Sequence, residues 1–130
     1  MSLLKKDNFI SNAKVVIKTI LKNVDNPSKP ESLNFFQADA YRFYFLMSFM
    51  HEHIEGNEMS QEYAISLVPK KYASRIKRLQ VLKQAVALGY ISEKSSSTDK
   101  RRRIYEPTEM LVEDFLKYSE SIIRDTRSSA

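Results

Sequence analysis

The sequence contains no cysteine and no tryptophan, and only two glycines and four prolines among 130 residues. Without cysteine there can be no disulfide and no thiolate metal centre. Two glycines, Gly56 and Gly89, cannot build a glycine-rich phosphate loop, and no nucleophile elbow is present. Carboxylates are plentiful, but none is paired in a way that suggests acid–base catalysis. His51, Glu52 and His53, with Glu55 and Glu58 nearby, form the one conceivable metal cluster. Histidines two apart on a helix point about 200° apart and cannot share an ion, so they are read as polar helix-end residues. No enzyme activity, cofactor or metal is expected. No apolar run approaches the length of a membrane span, and residues 1–7 lack the apolar stretch of a secretory signal. The expectation is a soluble cytoplasmic protein with no membrane partner.

Apolar residues make up 42% and charged residues 28%, proportions that allow a folded core in a chain of this length. The net charge is +5 with pI about 9.4, and its distribution matters more than its size. Residues 70–103 hold eleven basic side chains against Glu93 and Asp99, a net of +9, which leaves −4 for the remainder. A mildly acidic body carrying one basic segment is the footprint of a nucleic-acid binder. A solvated basic face without a partner is the plainer alternative.

Asp7 can cap a first helix whose apolar positions Phe9, Ala13, Val16, Ile20 and Val24 recur every three or four residues. Pro27 and Pro30 mark a linker. A second helix is expected over 34–55, with apolar residues on all sides from Phe35 to Ile54, closed by Gly56. Ser60 opens a short helix that Pro69 breaks, and a longer helix runs from Lys70 or Ser74 to Leu88, ended by Gly89. Tyr90 and Ile91 begin a strand, 95–99 form a loop, and 101–106 return as a second strand. Thr108 can cap a last helix with Leu111, Phe115, Tyr118 and Ile122 on one stripe, followed by a polar tail from Arg124 that should fray. The expected fold is mainly α with a small β-hairpin wing, a winged helix-turn-helix with flanking N- and C-terminal helices. It is read as one domain: 1–56 for core and dimerisation, 59–106 for the helix-turn-helix and wing, and 107–130 for the last helix.

With Leu79 at the centre of its apolar stripe, the longer helix buries Tyr72, Ile76, Leu82 and Val86. It then presents Lys70, Ser74, Lys77, Gln80, Val81 and Gln84. Lys can reach guanine, Gln can pair with adenine and Val can touch a thymine methyl. Lys71, Arg75 and Arg78 fall on the flanks, where phosphate contacts are natural. A basic solvent face explains the same residues. The hairpin adds Lys100, Arg101, Arg102 and Arg103 at its tip, a self-repelling run suited to an external polyanion.

The stretch Leu88-Gly89-Tyr90-Ile91, followed by Asp99-Lys100-Arg101 and Thr108, resembles the wing of the MarR family of winged-helix regulators. Pro107 stands where that family has leucine, and Leu111 where it often has glycine. The resemblance implies a minor-groove contact by Arg101, a loop held by Asp99, and a homodimer, formed by the first and last helices, that reads a palindromic double-stranded DNA site. Phe9, Ala13, Val16, Ile20, Leu111, Phe115, Tyr118 and Ile122 are the expected dimer residues. The aromatic helix could line a pocket for a small-molecule effector, though core packing or a dimer seam is the plainer explanation of the same residues. The function expected is that of a sequence-specific DNA-binding transcriptional regulator. The alternative is a winged helix that docks an acidic protein partner.

Overall fold

A computed structural model describes residues 3–129, with side-chain burial for residues 6–127. The chain divides into two compact units, one of residues 31–114 and one of residues up to Pro30 with those from Phe115 onward.

The 31–114 unit opens with α2 (Glu31–Phe36) and α3 (Ala40–Ile54). These are two helices where the apolar pattern predicted one over 34–55. Asp39 makes the break: its Oδ1 accepts the Arg42 amide at 2.8 Å, so the chain restarts with an N-cap three residues after α2 ends. The interruption resolves the all-round apolar pattern. Two short helices can each turn their rings into one core, and Phe36, Phe45 and Phe49 stack in sequence at centroid distances of 6.2 and 5.2 Å. Leu33, Leu46 and Met50 are buried beside them.

α4 (Gln61–Ser66) and α5 (Arg75–Ala87) follow, separated by a 3-10 turn at Lys70–Tyr72. Ser60 caps α4 by accepting from the Tyr63 amide, and Ser74 caps α5 by accepting from the Lys77 amide, both at 3.2 Å. The two glycines end the two longer helices of this unit in the same way. The Gly56 amide donates to His53 and Asn57 to Glu52, and the Gly89 amide donates to Val86 and Tyr90 to Ala85. Both are Schellman closures, which need a left-handed residue after the cap, and both glycines have φ near +80° (83° and 82°).

Strands β1 (Ile91–Ser95) and β2 (Arg103–Pro107) pair antiparallel, Ile91 opposite Pro107 and Ser95 opposite Arg103. The Tyr105 amide also donates to the Met59 carbonyl at 2.8 Å, which ties the hairpin to the start of the helix-turn-helix. Thr108 closes the unit: its hydroxyl donates to Gly89 O at 2.8 Å and accepts the Leu111 amide at 3.3 Å. This fixes both feet of the wing at the point where α6 (Glu109–Ser129) begins. The arrangement is a winged helix-turn-helix. The helices at 31–54, grouped by sequence with the first helix, belong to the same unit as the wing.

In the other unit, α1 (Leu3–Val24) starts ahead of Asp7, which lies inside the helix rather than capping it. The tail expected to fray continues α6 as far as Ser129. Asp125 is buried and accepts from Lys22 Nζ at 3.0 Å, while Asn23 Nδ2 donates to Thr19 O at 2.7 Å. Phe115 and Tyr118 rings lie 6.4 Å apart. On α1 the polar Thr19 and Asn23 are buried, whereas Phe9, Val16, Ile20 and Val24 are each more than half exposed.

Replacing Gly89 by Ala should cost about 1 kcal/mol through backbone strain alone. An added Cβ would meet only the flexible end of Met110, at 4.0 Å. Thermal unfolding checks this: the midpoint should fall by about 3–5 °C, and an unchanged midpoint would show that the closure is not needed.

Candidate nucleic-acid interface

The buried residues of α5 are Arg78, Val81, Leu82 and Ala85. At 3.6 residues per turn the opposite side carries Ile76, Gln80, Lys83 and Ala87, and all four are exposed. The helix is therefore rotated from the phase expected. Ile76, assigned to the core, is 71% exposed, and Val81, assigned to the DNA side, is 1% exposed. The physical reason is Arg78. Its guanidinium Nη1 donates to the Ile65 carbonyl at 2.9 Å, so a charged residue occupies the centre of the buried stripe. Burial pushes the neighbouring Tyr41 phenol up to about 12, against the opposing pull of the Arg78 charge. Arg78 thus braces α5 against α4 and is not available for phosphate.

The other predicted residues divide by their partners. Gln80 is exposed on the outward face, and Ser74 is occupied in capping. Lys77 and Gln84 lie on the α3 flank: Lys77 Nζ pairs with Asp39 Oδ2 at 3.2 Å, and Gln84 Oε1 accepts from Arg42 Nη2 at 3.4 Å. Burial pushes the Asp39 carboxyl up, but the Arg42 amide and the Lys77 ammonium outweigh it and hold the group below its ordinary value. Arg75 forks onto Glu62 of α4, with Nη1 to Oε2 at 2.8 Å. Lys70 and Lys71 are exposed on the 3-10 turn, Lys71 over the Tyr72 ring.

Lys83 was not singled out by sequence, yet it lies near the middle of the outward face. Its Nζ reaches Glu93 at 3.1 Å and the Tyr105 hydroxyl at 3.3 Å, and that hydroxyl donates to Glu93 at 2.7 Å. This three-membered clasp joins the base of the wing to α5. Had Val81, Leu82 and Ala85 been taken as the stripe, Lys83 would have been found.

At the hairpin tip, residues 96–102 form the turn, and Lys100, Arg101 and Arg102 are exposed on it. Asp99 holds the turn twice: its Oδ1 accepts the Arg101 amide and its carbonyl accepts the Arg102 amide, both at 3.0 Å. Arg103 is the first residue of β2, with Nε 3.9 Å from Glu93.

Of the dimer residues, Leu111 is fully buried in the core of the 31–114 unit and cannot form an interface. Phe115, Tyr118 and Ile122 are half-buried, and Ala13 is exposed on the same stripe as Phe9, Val16 and Ile20. His51 and His53 form no metal cluster, and among the described residues no group of three His, Cys, Asp or Glu could hold an ion. The outer side of α3 lines an apolar cleft of about 790 Å3 with Phe43, Tyr44, Met47, Leu67 and Tyr72.

No family model and no curated protein matches the sequence. Solved structures do. The heme sensor protein PefR, in complex with heme and carbon monoxide, aligns at 16% identity over 92% of this chain and 77% of its own, with a TM-score of 0.50. At this identity the likeness is one of fold alone. The PcaV transcriptional regulator from Streptomyces coelicolor aligns at 11% identity over 98% of this chain and 80% of its own (TM-score 0.48). A MarR-like transcription regulator from Bacillus cereus aligns at 11% over 97% and 82% (TM-score 0.49). Within the winged helix-turn-helix, α4 and α5 are the helix pair and the β1–β2 hairpin is the wing.

The Glu93 carboxyl is held below its ordinary value by the Tyr105 hydroxyl first and then by Lys83. A carboxylate so lowered stabilises the fold above the ordinary carboxylate range, and the contribution is lost as pH falls through the lowered value. Glu93→Gln should therefore cost about 0.5–1 kcal/mol at neutral pH. Melting curves of the variant and wild type should converge in acid, and a gap that persists there would show that the clasp is not ionic.

Proposed function

We propose that the chain is a sequence-specific double-stranded DNA-binding transcriptional regulator, with α5 entering the major groove and the wing lying along the backbone. The observation that carries this reading is the wing turn. Lys100, Arg101 and Arg102 are exposed together on a turn that Asp99 closes through two backbone amides, and the only acid in the turn is Asp99 itself, whose Oδ1 accepts the Arg101 amide. Three consecutive cations on one turn repel one another unless an external polyanion neutralises them. Arginine on a slender hairpin also suits a narrow minor groove. On α5, Gln80 and Lys83 supply base-edge chemistry and Ile76 an apolar contact for a thymine methyl. Lys70, Lys71, Arg75, Lys77 and Arg103 are placed for phosphate, and Gln84 for a contact at the groove edge.

A homodimer completes the reading. Phe9, Val16, Ile20 and Val24 form an exposed apolar stripe on α1, and Leu116 and Ile123 are exposed on α6. Apolar surface of that extent on helices marks an association face. Two copies related by a two-fold axis would present two α5 helices to half-sites roughly 34–36 Å apart. The α3 cleft, apolar and aromatic, is suited to a small effector.

Replacing Lys100, Arg101 and Arg102 together by Ala should weaken duplex binding and flatten the salt dependence by about one unit for each phosphate no longer neutralised. Fluorescence anisotropy over a salt series reads both, and an unchanged slope would remove the wing from the interface. Gln80→Ala should lose discrimination at one base position, by about 1–3 kcal/mol. Light scattering should give a mass near twice the 15.2 kDa of the chain. Val16→Asp should return it to the monomer value, and a wild-type monomer at all concentrations would exclude the dimer.

A further inference from the structure

Three carboxylates stand around α5, each from a different element, and each holds one exposed cation of that helix. Asp39 at the cap of α3 takes Lys77 at 3.2 Å, Glu62 of α4 takes Arg75 in a two-pronged fork, and Glu93 of β1 takes Lys83 at 3.1 Å. None of these is a pair within one helix turn. The fold brings together residues separated by 38, 13 and 10 positions. By contrast, Lys70, Lys71, Lys100, Arg101 and Arg102 have no ion-pair partner among the described residues. The helix proposed to read bases is thus neutralised at rest, and the unpaired cations flank it on the 3-10 turn and the wing.

The pairs are open enough to solvent to be exchanged at modest cost. Side-chain exposure is 35% for Asp39, 64% for Glu62 and 27% for Glu93, and the three cations are each 44–54% exposed. Ion pairs as wet as these contribute little to stability. Their effect on an approaching duplex is larger. A phosphate brought against α5 must displace a carboxylate and then remain beside it, like charge next to like charge. That penalty is independent of sequence, because every duplex carries the same phosphates. Base-edge hydrogen bonds offset it only where the sequence provides them.

We infer that Asp39, Glu62 and Glu93 act as built-in phosphate surrogates that hold the cations of α5 and suppress its grip on arbitrary duplex DNA. The inference rests on the DNA-binding reading above and adds specificity residues to it. Their chemistry is that of the DNA backbone: an oxyanion within 3.2 Å of each lysine ammonium, or forked onto the guanidinium of Arg75. The carboxylates, together with the burial of Arg78 on the Ile65 carbonyl, also explain why a helix with four basic residues (Arg75, Lys77, Arg78 and Lys83) offers so little free charge.

The test uses the full chain and short, labelled duplexes of random sequence, with affinity read by anisotropy over a salt series. Glu62→Gln, Glu93→Gln and Asp39→Asn preserve shape, and asparagine retains the cap of α3. Glu113→Gln is the control for net charge alone, since Glu113 is exposed on α6 with no cation in ion-pair distance among the described residues. Each of the first three variants should bind random duplex about twofold to fivefold tighter at low salt, with a slope steeper by up to about one unit. Glu113→Gln should leave both unchanged. Tighter binding by Glu93→Gln, despite its lower melting temperature, cannot come from a merely structural role. The inference is overturned if the three variants bind no tighter than wild type, or if Glu113→Gln matches them. If neither wild type nor any variant binds duplex at all, the DNA-binding reading fails and the inference falls with it.

Discussion

The rotation of α5 about its own axis governs what this protein can present to a partner, and one buried stripe sets that rotation. Arg78, Val81, Leu82 and Ala85 face inward. Leu82 and Ala85 are fully removed from solvent, and Arg78 is fastened to the end of α4 through the Ile65 carbonyl. A buried guanidinium is costly to release, because it would leave a charge in an apolar core without its hydrogen bond. The helix is consequently locked at one angle. Gln80 and Lys83 face out as a result, Lys77 and Gln84 turn toward α3, and the wing finds Lys83 within reach of Glu93 and Tyr105.

The surface charge follows from the same placement. A chain of net charge +5 concentrates its cations between residues 70 and 103, yet the folded molecule exposes them unevenly. The exposed ones on α5 are met by acids from three neighbouring elements, while those on the 3-10 turn and wing tip are left to solvent. The wing is braced at both ends for this task. Thr108 ties its feet to Gly89 and Tyr90, and Asp99 ties its tip.

Much of this order was legible in the residues because local chemistry dictates it. Ser60, Ser74, Gly56, Gly89 and Thr108 each have one role at a helix boundary, and each performs it. The hairpin and its basic turn were legible for the same reason. The phase of α5 was not, since a periodicity argument counts Arg78 as polar and Ile76 as apolar, and tertiary contacts reverse both. The break between α2 and α3 was hidden by an unbroken apolar run, where the single carboxylate of Asp39 decides the matter. The basic segment advertised a polyanion site, but nothing in the order of residues reveals that Asp39, Glu62 and Glu93 would converge on its lysines and arginine.

Titration of the isotopically labelled chain with duplex DNA, followed residue by residue through backbone and side-chain NMR signals, tests the central claim most directly. The account predicts that the largest shifts fall on Ile76, Gln80 and Lys83 of α5 and on residues 99–102 of the wing turn, as one contiguous surface. Shifts confined to α1 or to the α3 cleft, with α5 and the wing turn unmoved, would contradict it.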